Sequence, residues 1–497
     1  MHTIIQEHIF ISPCTILRAL LIILVITAGC RPAPGDQDPN IILILADDLG
    51  YNDLSCYRDM HPRQSERPPT SRTPHIDNLA EEGMLFTDFY CGAAVCSPSR
   101  AALLTGRNAT RVGIYNWIPP GTPMHLRNEE VTIAEVLRAA GYRTAHFGKW
   151  HLTSKGMGQP LPTDQGFGEA FFTYNNASPS HYNPVDFFRD GEEVGALKGY
   201  SCQLVVDQVI AWLASHQQSR VPFYINVWFN EPHEKVAAPE EMTSRHTYNK
   251  AYYGCIENMD REVGRLTSFL KENELEENTM VIFSSDNGSQ MVASNDPLRG
   301  EKAFNYEGGI RVPFLIKWPG SVPRGEISGV NGSFTDILPT LASLTGSPVP
   351  AERQLDGEDL SAVFRGSELH RERSSPVFFF RYFHDPICML REGKWVLLGY
   401  HHEPIPVLED YNQSELALLK PGPDQPRWSM WSFRPEHMDY LKDLEPVHFE
   451  LYDIEKDLEQ EHDLSAGYPG IVSRMKEKMV ALRDEMVREG GDWYPQQ

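Results

Sequence analysis

Three apolar stretches in this chain of 497 residues each end directly in polar, reactive side chains. The run IILILA is followed by Asp47 and Asp48. The run PFYINVWF is followed by the segment NEPH, which contains His233, and the run TMVIFSS is followed by Asp286 and Asn287. Stretches with helical spacing, such as VTIAEVLRAAGY at 131–142, separate runs of this kind. This alternation predicts an α/β/α sandwich around a large mixed, mostly parallel sheet. Since ligands bind beyond the carboxyl ends of parallel strands, we expect the three polar strand ends to share one site.

The pattern of predicted elements changes after about residue 370. There the segments PVFFFRYF, MLREGKWVLLGY and FELYDIEKDLEQEHDLS precede a terminal helix. These segments predict a smaller C-terminal α+β subdomain that carries an antiparallel sheet. We therefore expect a catalytic domain over 39–370 and a C-terminal subdomain over 371–497.

The N-terminus has the pattern of an export signal. Arg18 precedes the ten-residue apolar run ALLIILVITA at 19–28, which is too short to span a bilayer as a helix. The following Gly29 and Cys30 resemble a bacterial lipobox, which predicts a lipoprotein signal peptide at 1–29, lipidation of Cys30 and a tether at 30–38. A plain secretory signal is the alternative. We expect an exported bacterial protein, periplasmic or at the outer membrane or cell surface, that meets a membrane only through this anchor.

Charge and cysteine content exclude several classes of protein. The formal charge of −23 argues against nucleic acid as a partner, because a phosphate backbone needs a basic face. The eight cysteines are scattered and form no zinc-type spacing, so the sequence predicts no disulfide framework, although one or two bridges stay open.

The strand-end oxygens suit a hard cation. Asp47 and Asp48 on one strand end, with Asp286 and Asn287 on another, offer the carboxylate and amide oxygens that Ca²⁺ or Mg²⁺ requires. Taken alone, the first pair could cap a helix and the segment DNG could form a tight turn. If both pairs share one sheet edge, a divalent cation is the favoured interpretation.

Cationic and titratable side chains accompany these oxygens. Lys149 and His151 in GKWH share one face if that segment is extended, and His233 and Lys302 add a second such set. Each alone is more often an ordinary polar residue. Together with Arg100 they suit an ester of a tetrahedral oxyanion, with cations stabilising charge and a histidine protonating the leaving oxygen.

Cys96 in CSPSR stands at a predicted helix start, with Pro98 in the first turn. A thiolate there would be activated by the helix N-terminus. However, sulfur is a soft ligand and matches an oxygen-lined Ca²⁺ site poorly. A thiol nucleophile therefore fits this site badly.

Six motifs follow one another along the chain: Asp47-Asp48, CSPSR at 96–100 with AALLTGR, GKWH at 148–151, Pro232-His233, DNG at 286–288 and Lys302. In this order they resemble the type I, formylglycine-dependent sulfatases of the alkaline-phosphatase-like superfamily, a group that includes arylsulfatases and N-acetylgalactosamine-6-sulfatases. The segments TPHIDNLAEEGMLFTDFY, YEGGIRVPFLIKWPG and ELYDIEKDLEQEHDL add to the resemblance. It extends from about residue 39 to the terminal helix. One departure is PHEKVAAP, which lacks a second proline two residues after His233.

The resemblance implies that a maturation enzyme oxidises Cys96 to formylglycine (3-oxoalanine), whose hydrate is an oxygen nucleophile suited to a hard metal. It implies a Ca²⁺ site, with Mg²⁺ as the alternative. The implied metal ligands are Asp47, Asp48, Asp286, Asn287 and residue 96. The implied catalytic roles are diol orientation by Arg100 and Lys149, help from Asp286 in deprotonating the attacking hydroxyl, sulfate binding by Lys302, protonation of the leaving alcohol by His233 and proton removal by His151.

By the same resemblance, the chain is expected to hydrolyse sulfate esters on a polysaccharide or oligosaccharide. Two alternatives stay open: a phosphonate or phosphodiester hydrolase with the same fold, and a lipoprotein that binds sulfated glycan without cleaving it. The expected substrate linings are 175–184, the His233 loop and 293–300. His181 is a candidate contact, with an ordinary surface-loop position as the favoured alternative.

Overall fold

A computed structural model of the chain describes residues 38–60, 69–382, 384–402 and 435–494. The predicted signal peptide, Cys30 and all but the last residue of the predicted tether lie outside the described residues. Among the helices that the structure describes, none combines the length and the apolar character that crossing a membrane would require.

A ten-stranded mixed sheet organises the fold, with the strand order β11-β2-β10-β9-β1-β8-β4-β5-β6-β7. Its strands are β1 Asn40–Asp47, β2 Met84–Phe86, β4 Arg143–Lys149, β5 Glu169–Thr173, β6 Phe188–Arg189, β7 Glu192–Glu193, β8 Phe223–Pro232, β9 Thr279–Ser285, β10 Phe314–Lys317 and β11 Glu326–Ser328. The five consecutive strands from β9 to β5 are parallel, whereas β10, β6 and β7 run antiparallel to a neighbour. A two-stranded sheet pairs β3 Phe89–Tyr90 with β12 Gly332–Ser333.

Strand β1 at the centre of the sheet shows why the fold has three layers. All eight of its residues are buried. Ile41, Leu43 and Leu45 belong to one hydrophobic core. Ile42 and Ile44 belong to the core on the opposite face. Since successive strand side chains point to opposite faces, a strand that is apolar throughout must be covered on both.

Helices such as α6 Ser201–His216 and α8 Lys250–Glu272 provide this cover, whereas the C-terminal helix packs against a smaller sheet. The α-helices of the described residues are α1 Ser55–Arg58, α2 Pro74–Glu81, α3 Cys96–Thr105, α4 Ala109–Val112, α5 Ile133–Ala139, α6 Ser201–His216, α7 Glu240–Thr243, α8 Lys250–Glu272, α9 Val292–Asn295, α10 Glu307–Ile310, α11 Ile337–Thr345, α12 Ser361–Phe364, α13 Pro435–Asp443 and α14 Pro469–Gly490. The predicted α/β/α sandwich with its large, mostly parallel sheet is confirmed.

A separate antiparallel sheet lies near the C-terminus, as predicted. It contains β13 Val377–Phe380, β14 Cys388–Glu392, β15 Trp395–Tyr400 and β16 His448–Asp453, in that order. Arg391 on β14 binds Asp88 with both terminal nitrogens, each at 2.5 Å from a carboxylate oxygen. This sheet is therefore tied to the loop after β2. The domain boundary near residue 370 stays a prediction.

Candidate active site

The carboxyl edge of the large sheet carries the predicted polar residues. Strand β1 ends at Asp47 and the parallel strand β4 ends at Lys149. The residue after β9 is Asp286, and the residue after β8 is His233. Because these four strands run parallel, their side chains emerge at one edge, as expected from the sequence.

Three buried carboxylates lie together at this edge. Asp47, Asp48 and Asp286 are at most 3% exposed. The backbone N–H of Asp48 donates to Asp286 Oδ1 at 3.1 Å, and Asp48 has the left-handed backbone angle φ of 63°. One ligand atom from each carboxylate and the sulfur of Cys96 all lie within 4.8 Å of one another. Such crowding of carboxylates in a buried site calls for a compensating positive charge.

Asn287 supplies a further oxygen. Its side-chain N–H donates to Asp48 Oδ1 at 2.7 Å. Its Oδ1 is buried and accepts no hydrogen bond from the residues that the structure describes. An amide oxygen without a donor, beside three carboxylates, fits a hard divalent cation of the Ca²⁺ or Mg²⁺ type.

Cys96 is the first residue of α3, whose ten residues are all buried. The first turn is fixed on both sides, because Ser97 Oγ accepts from the Ile118 N–H and Ser99 Oγ accepts from the Gly92 N–H, both at 2.9 Å. The Cys96 side chain therefore lies at the positive end of the helix dipole, where negative charge on the reacting atom is stabilised. The predicted helix start at CSPSR is present.

Two cations flank Cys96 from the other side. Lys149 Nζ lies 2.6 Å from Asp47 Oδ2 and 3.5 Å from Cys96 Sγ. Arg100, one helical turn beyond Cys96, donates through Nε to Asp286 Oδ2 at 2.9 Å and through Nη1 to the Lys149 carbonyl at 2.9 Å. Both cations are completely buried. They are thereby held in place by the carboxylates that they neutralise.

Strand β4 approaches its neighbour closely just before Lys149. Gly148 has φ of 106°, and a Cβ atom there would lie 1.8 Å from the Trp228 carbonyl oxygen on β8. Only glycine fits this position, so the glycine of GKWH sets the place of the lysine.

The thiol of Cys96 is not activated by its surroundings. Burial raises the pKa of Cys96 well above its usual value, and the charges of Asp286 and Asp47 raise it further. Burial also raises the pKa of Asp286 to about 7, with a contribution from Asp47. Burial acts on the pKa of Asp47 in the same direction, but Lys149 and the other cations hold that pKa well below its usual range. An unmodified Cys96 would thus stay a neutral thiol.

His233 and Lys302 complete the cluster on the side of Asp48. Lys302 Nζ lies 2.6 Å from Asp48 Oδ2, and His233 Nε2 lies 3.4 Å from the same oxygen. The Nδ1 atom of His233 lies 2.8 Å from both the Glu234 carbonyl and Asn176 Nδ2, while Nε2 is the nitrogen that faces the carboxylate. Burial and the charge of Lys302 lower the pKa of His233 to about 4.

His151 reaches the site by a route that the sequence did not indicate. We expected it to share a face with Lys149 on an extended segment, but His151 has the left-handed angle φ of 54°. Its Nε2 lies 3.1 Å from the Ile118 carbonyl. Burial, Lys149 and Arg100 lower its pKa well below the usual value. A backbone reversal, rather than strand alternation, turns this side chain into the cavity above Cys96.

A cavity of about 560 Å³ opens on Cys96. Its lining contains residues from several distant segments: Val95, Cys96, Trp117, His151, Asn175, Asn176, His233, Gln290, Glu301, Lys302, Ala303, Phe304, Arg381 and His384. The sequence had pointed to the stretch 175–184 and the His233 loop, and both contribute. Trp117, Phe304, Arg381 and His384 were missed, because neither periodicity nor a motif marks their loops.

Two expectations about the surroundings of the site are wrong. Residues 296–300 line a different cavity, against β16 and 459–463, and no residue of 293–300 lines the one at Cys96. His181 is fully buried rather than on a surface loop, with Nδ1 3.5 Å from Cys255 Sγ. The six cysteines from Cys56 to Cys388 are all free thiols, so these described positions contain no bridge.

The fold and the site together define a hydrolase for esters of an oxyanion, with acidic, cationic and imidazole groups around one buried residue. The sulfatase family profile matches residues 39–347. N-acetylgalactosamine-6-sulfatase of Canis lupus familiaris is 32% identical over 400 residues, which cover 73% of this chain and 72% of the relative. Human arylsulfatase A is 34% identical over 409 residues, covering 76% and 77%.

A solved structure supports the same assignment. Ps i-CgsB in complex with k-i-k-neocarrahexaose superposes with a TM-score of 0.72 at 26% identity, covering 92% of this chain and 94% of that one. The chain belongs to the sulfatase family. It is an enzyme that hydrolyses sulfate esters, with the alkaline-phosphatase-like fold of that family, and the family implies a metal cofactor and a formylglycine.

Proposed function

We propose that this sulfatase removes sulfate from O-sulfated carbohydrate, with an aldehyde hydrate derived from Cys96 as nucleophile and with bound Ca²⁺. The observation that carries the proposal is the position of Cys96. It lies at the N-terminus of a buried helix, between the carboxylate oxygens of Asp47 and Asp48 and the ammonium of Lys149, at the base of an open cavity.

The chemistry of the donor set supports a hard oxygen nucleophile rather than sulfur. A divalent cation would be held by Asp47, Asp48, Asp286 and Asn287, and it would supply positive charge for the sulfate oxygens and for an ionised hydroxyl. The neutral thiol offers neither an ionised nucleophile nor a hard ligand. Oxidation of Cys96 by a separate maturation enzyme would remove both problems.

The remaining roles follow from charge and reach. Lys302 would bind a sulfate oxygen, while Arg100 and Lys149 would hold the position of the nucleophile and balance its charge. Asp286, which has a carboxylate oxygen within 4.8 Å of Cys96 Sγ, would accept a proton from the attacking hydroxyl. His151, which is neutral in this setting, is suited to accept the later proton whose removal releases sulfate.

His233 Nε2 would deliver a proton to the departing alcohol oxygen. With a pKa of about 4 it is neutral at neutral pH before substrate arrives. A sulfate ester carries a negative charge, and an anion next to Nε2 raises the pKa of the imidazole. Substrate binding would therefore charge this histidine only when a leaving group is in place.

The carbohydrate substrate is proposed on two grounds. Relatives of this chain are called N-acetylgalactosamine-6-sulfatases, and the structure that superposes on it contains a neocarrahexaose. In this chain the cavity combines the aromatic rings of Trp117 and Phe304 with the amides of Asn175 and Gln290, a mixture that suits a pyranose ring with its hydroxyls.

We also propose that the protein is an exported lipoprotein, anchored to the membrane through Cys30.

The test is release of inorganic sulfate, measured by ion chromatography, from a panel of pyranoses with one O-sulfate each. N-acetylgalactosamine 6-sulfate and galactose 6-sulfate head the panel, and matched phosphate monoesters and phosphonates serve as comparison. We expect turnover of at least one sulfated sugar and loss of that turnover in Cys96→Ala. Faster cleavage of the phosphorus esters would replace the proposal by the hydrolase alternative, and binding without release would replace it by a glycan-binding role.

A further inference from the structure

The cavity above Cys96 contains an acidic side chain that the proposed chemistry does not use. Glu301 lines the cavity immediately before Lys302, and its side chain is half-buried. Its carboxylate makes neither a hydrogen bond nor an ion pair with the residues that the structure describes. Partial burial alone accounts for the raised pKa of Glu301. A carboxylate left partly dehydrated in this way gains from a hydrogen-bond donor on a ligand.

The cations of the same cavity are already engaged. Lys302 is held by Asp48 at 2.6 Å. The Arg381 guanidinium donates to the Ala303 carbonyl and lies 3.4 Å from Asn116 Oδ1. A substrate that brings one sulfate to Lys302 and His233 therefore meets a negative charge at Glu301, while the terminal nitrogens of Arg381, the other cation of this lining, are directed at oxygens of the protein.

The histidines of the cavity do not change this balance. Burial lowers the pKa of His384 to about 3, and its ring stacks on Phe304 with centroids 4.9 Å apart and an angle of 15° between the planes. The rest of the lining contains amides and aromatic rings, among them Trp117 and Gln290. Apart from the sulfate-binding residues and Arg381, whose terminal nitrogens are directed at protein oxygens, the lining thus contains a carboxylate, amides and aromatic rings, which offer little to a second anion.

We infer that Glu301 makes the enzyme selective for sugars whose scissile sulfate is the only anionic group on the ring held in the cavity. Hydroxyl or amide N–H groups of that ring would donate to the Glu301 carboxylate. A second sulfate or a carboxylate on the same ring would be repelled, since like charges at short range in a partly dehydrated site oppose binding strongly. This inference rests on the proposed function and adds the substrate class to it.

The experiment compares matched sugars and matched variants. The best monosulfated sugar of the panel and the same sugar with a second O-sulfate on a neighbouring carbon are compared by kcat/KM for release of the shared sulfate. The enzymes are wild type, Glu301→Gln and Glu301→Asp. Glu277→Gln is the control, because Glu277 is exposed and precedes the N-terminal end of β9, at the opposite edge of the sheet.

We expect wild type and Glu277→Gln to prefer the monosulfated sugar by at least about tenfold, a modest effect for one like-charge contact. Glu301→Gln should reduce that preference to about threefold or less, mainly by improving kcat/KM on the disulfated sugar. Glu301→Asp keeps the charge and should keep most of the preference. Thermal unfolding of each variant, expected within about 2 °C of wild type, shows that folding is unchanged.

Equal turnover of the two sugars by wild type would overturn the inference and leave the proposed function intact. A full tenfold preference retained by Glu301→Gln would overturn it in the same way. If no sugar of the panel releases sulfate, the carbohydrate assignment fails, and the inference fails with it.

Discussion

The ammonium of Lys149 lies 2.6 Å from the carboxylate of Asp47 at a place where neither side chain reaches solvent. A buried pair of this kind contributes little to stability as a pair, but either partner is costly when left alone. This relationship couples the stability of the site to its chemistry, because Lys149 also contacts Cys96.

Removal of that ammonium should destabilise the protein. In Lys149→Met the Asp47 carboxylate loses its nearest positive charge, and we expect the free energy of unfolding to fall by about 3–5 kcal/mol in the presence of a chelator. Added Ca²⁺ should restore part of it by neutralising the same carboxylate. Urea denaturation with EDTA or with Ca²⁺ measures both.

The matched control for that variant is Lys155→Met. Lys155 forms an ion pair with Glu193 in which both side chains are more than half exposed, and such pairs contribute little. If the free energy of unfolding falls no further in Lys149→Met than in this control, the buried pair does not affect stability more than an exposed pair does.

The oxygen ligands at the carboxyl edge predict a response to metal. Because Ca²⁺ would bind the folded chain and not the unfolded one, an excess of about 100 times Kd adds about 2.7 kcal/mol. We expect Ca²⁺ to raise the melting temperature by several degrees and EDTA to abolish sulfate release. In Asp48→Asn the thermal response should nearly vanish. A wild-type melting curve that is indifferent to both Ca²⁺ and EDTA contradicts the metal site.

The loss of kcat on replacing His233 should depend on the leaving group of the substrate. A sugar alcohol needs a proton as it departs, whereas nitrophenolate does not, and general acid catalysis contributes about 10²–10⁴-fold. His233→Gln should therefore lose about 10²–10⁴-fold in kcat on a sulfated sugar and far less on 4-nitrophenyl sulfate. His462→Gln, at an exposed position, is the control. Equal losses on both substrates would assign His233 to binding or folding instead.

Glu358 makes stability depend on pH. Burial acts to raise its pKa, but hydrogen bonds from Ser374 and Ser375 and the charge of Arg373 lower that pKa from 4.5 to about 2. Because the pKa is lower in the folded chain, this carboxylate stabilises the fold above about pH 4.5, and its contribution is lost as the pH falls toward 2.

The variant Glu358→Gln should thus lower the free energy of unfolding by roughly 2–3 kcal/mol at pH 7 and by progressively less below pH 4.5. Urea denaturation at pH 7, 4 and 3 measures the difference from wild type. Glu368→Gln, at a nearby exposed position, should show no such trend. A difference that stays constant over this pH range would mean that hydrogen-bond geometry, not charge, is at work.

The sequence predicted those parts of the site that depend on short-range rules. Strand β1 is apolar throughout and ends at Asp47, so both its burial on two faces and the position of its carboxylate follow from local pattern. The helix start at Cys96 follows equally, since proline is tolerated in a first turn.

The parts that the sequence did not predict depend on the path of loops. The left-handed backbone of His151 leaves no trace in residue spacing. Trp117 and His384 lie far apart in the chain, and only tertiary packing brings them to one cavity. His181 has the polar surroundings of a surface segment in sequence, yet it is buried against Cys255.

The central claim is that Cys96 acts as an oxygen nucleophile after conversion to an aldehyde. Mass spectrometry of the peptide containing Cys96, from natively expressed enzyme with measured sulfatase activity, tests it directly. We predict that this peptide has lost sulfur and two hydrogens and gained one oxygen, in a fraction that rises with specific activity across preparations. Full activity from enzyme whose Cys96 is an unmodified thiol throughout would contradict the claim.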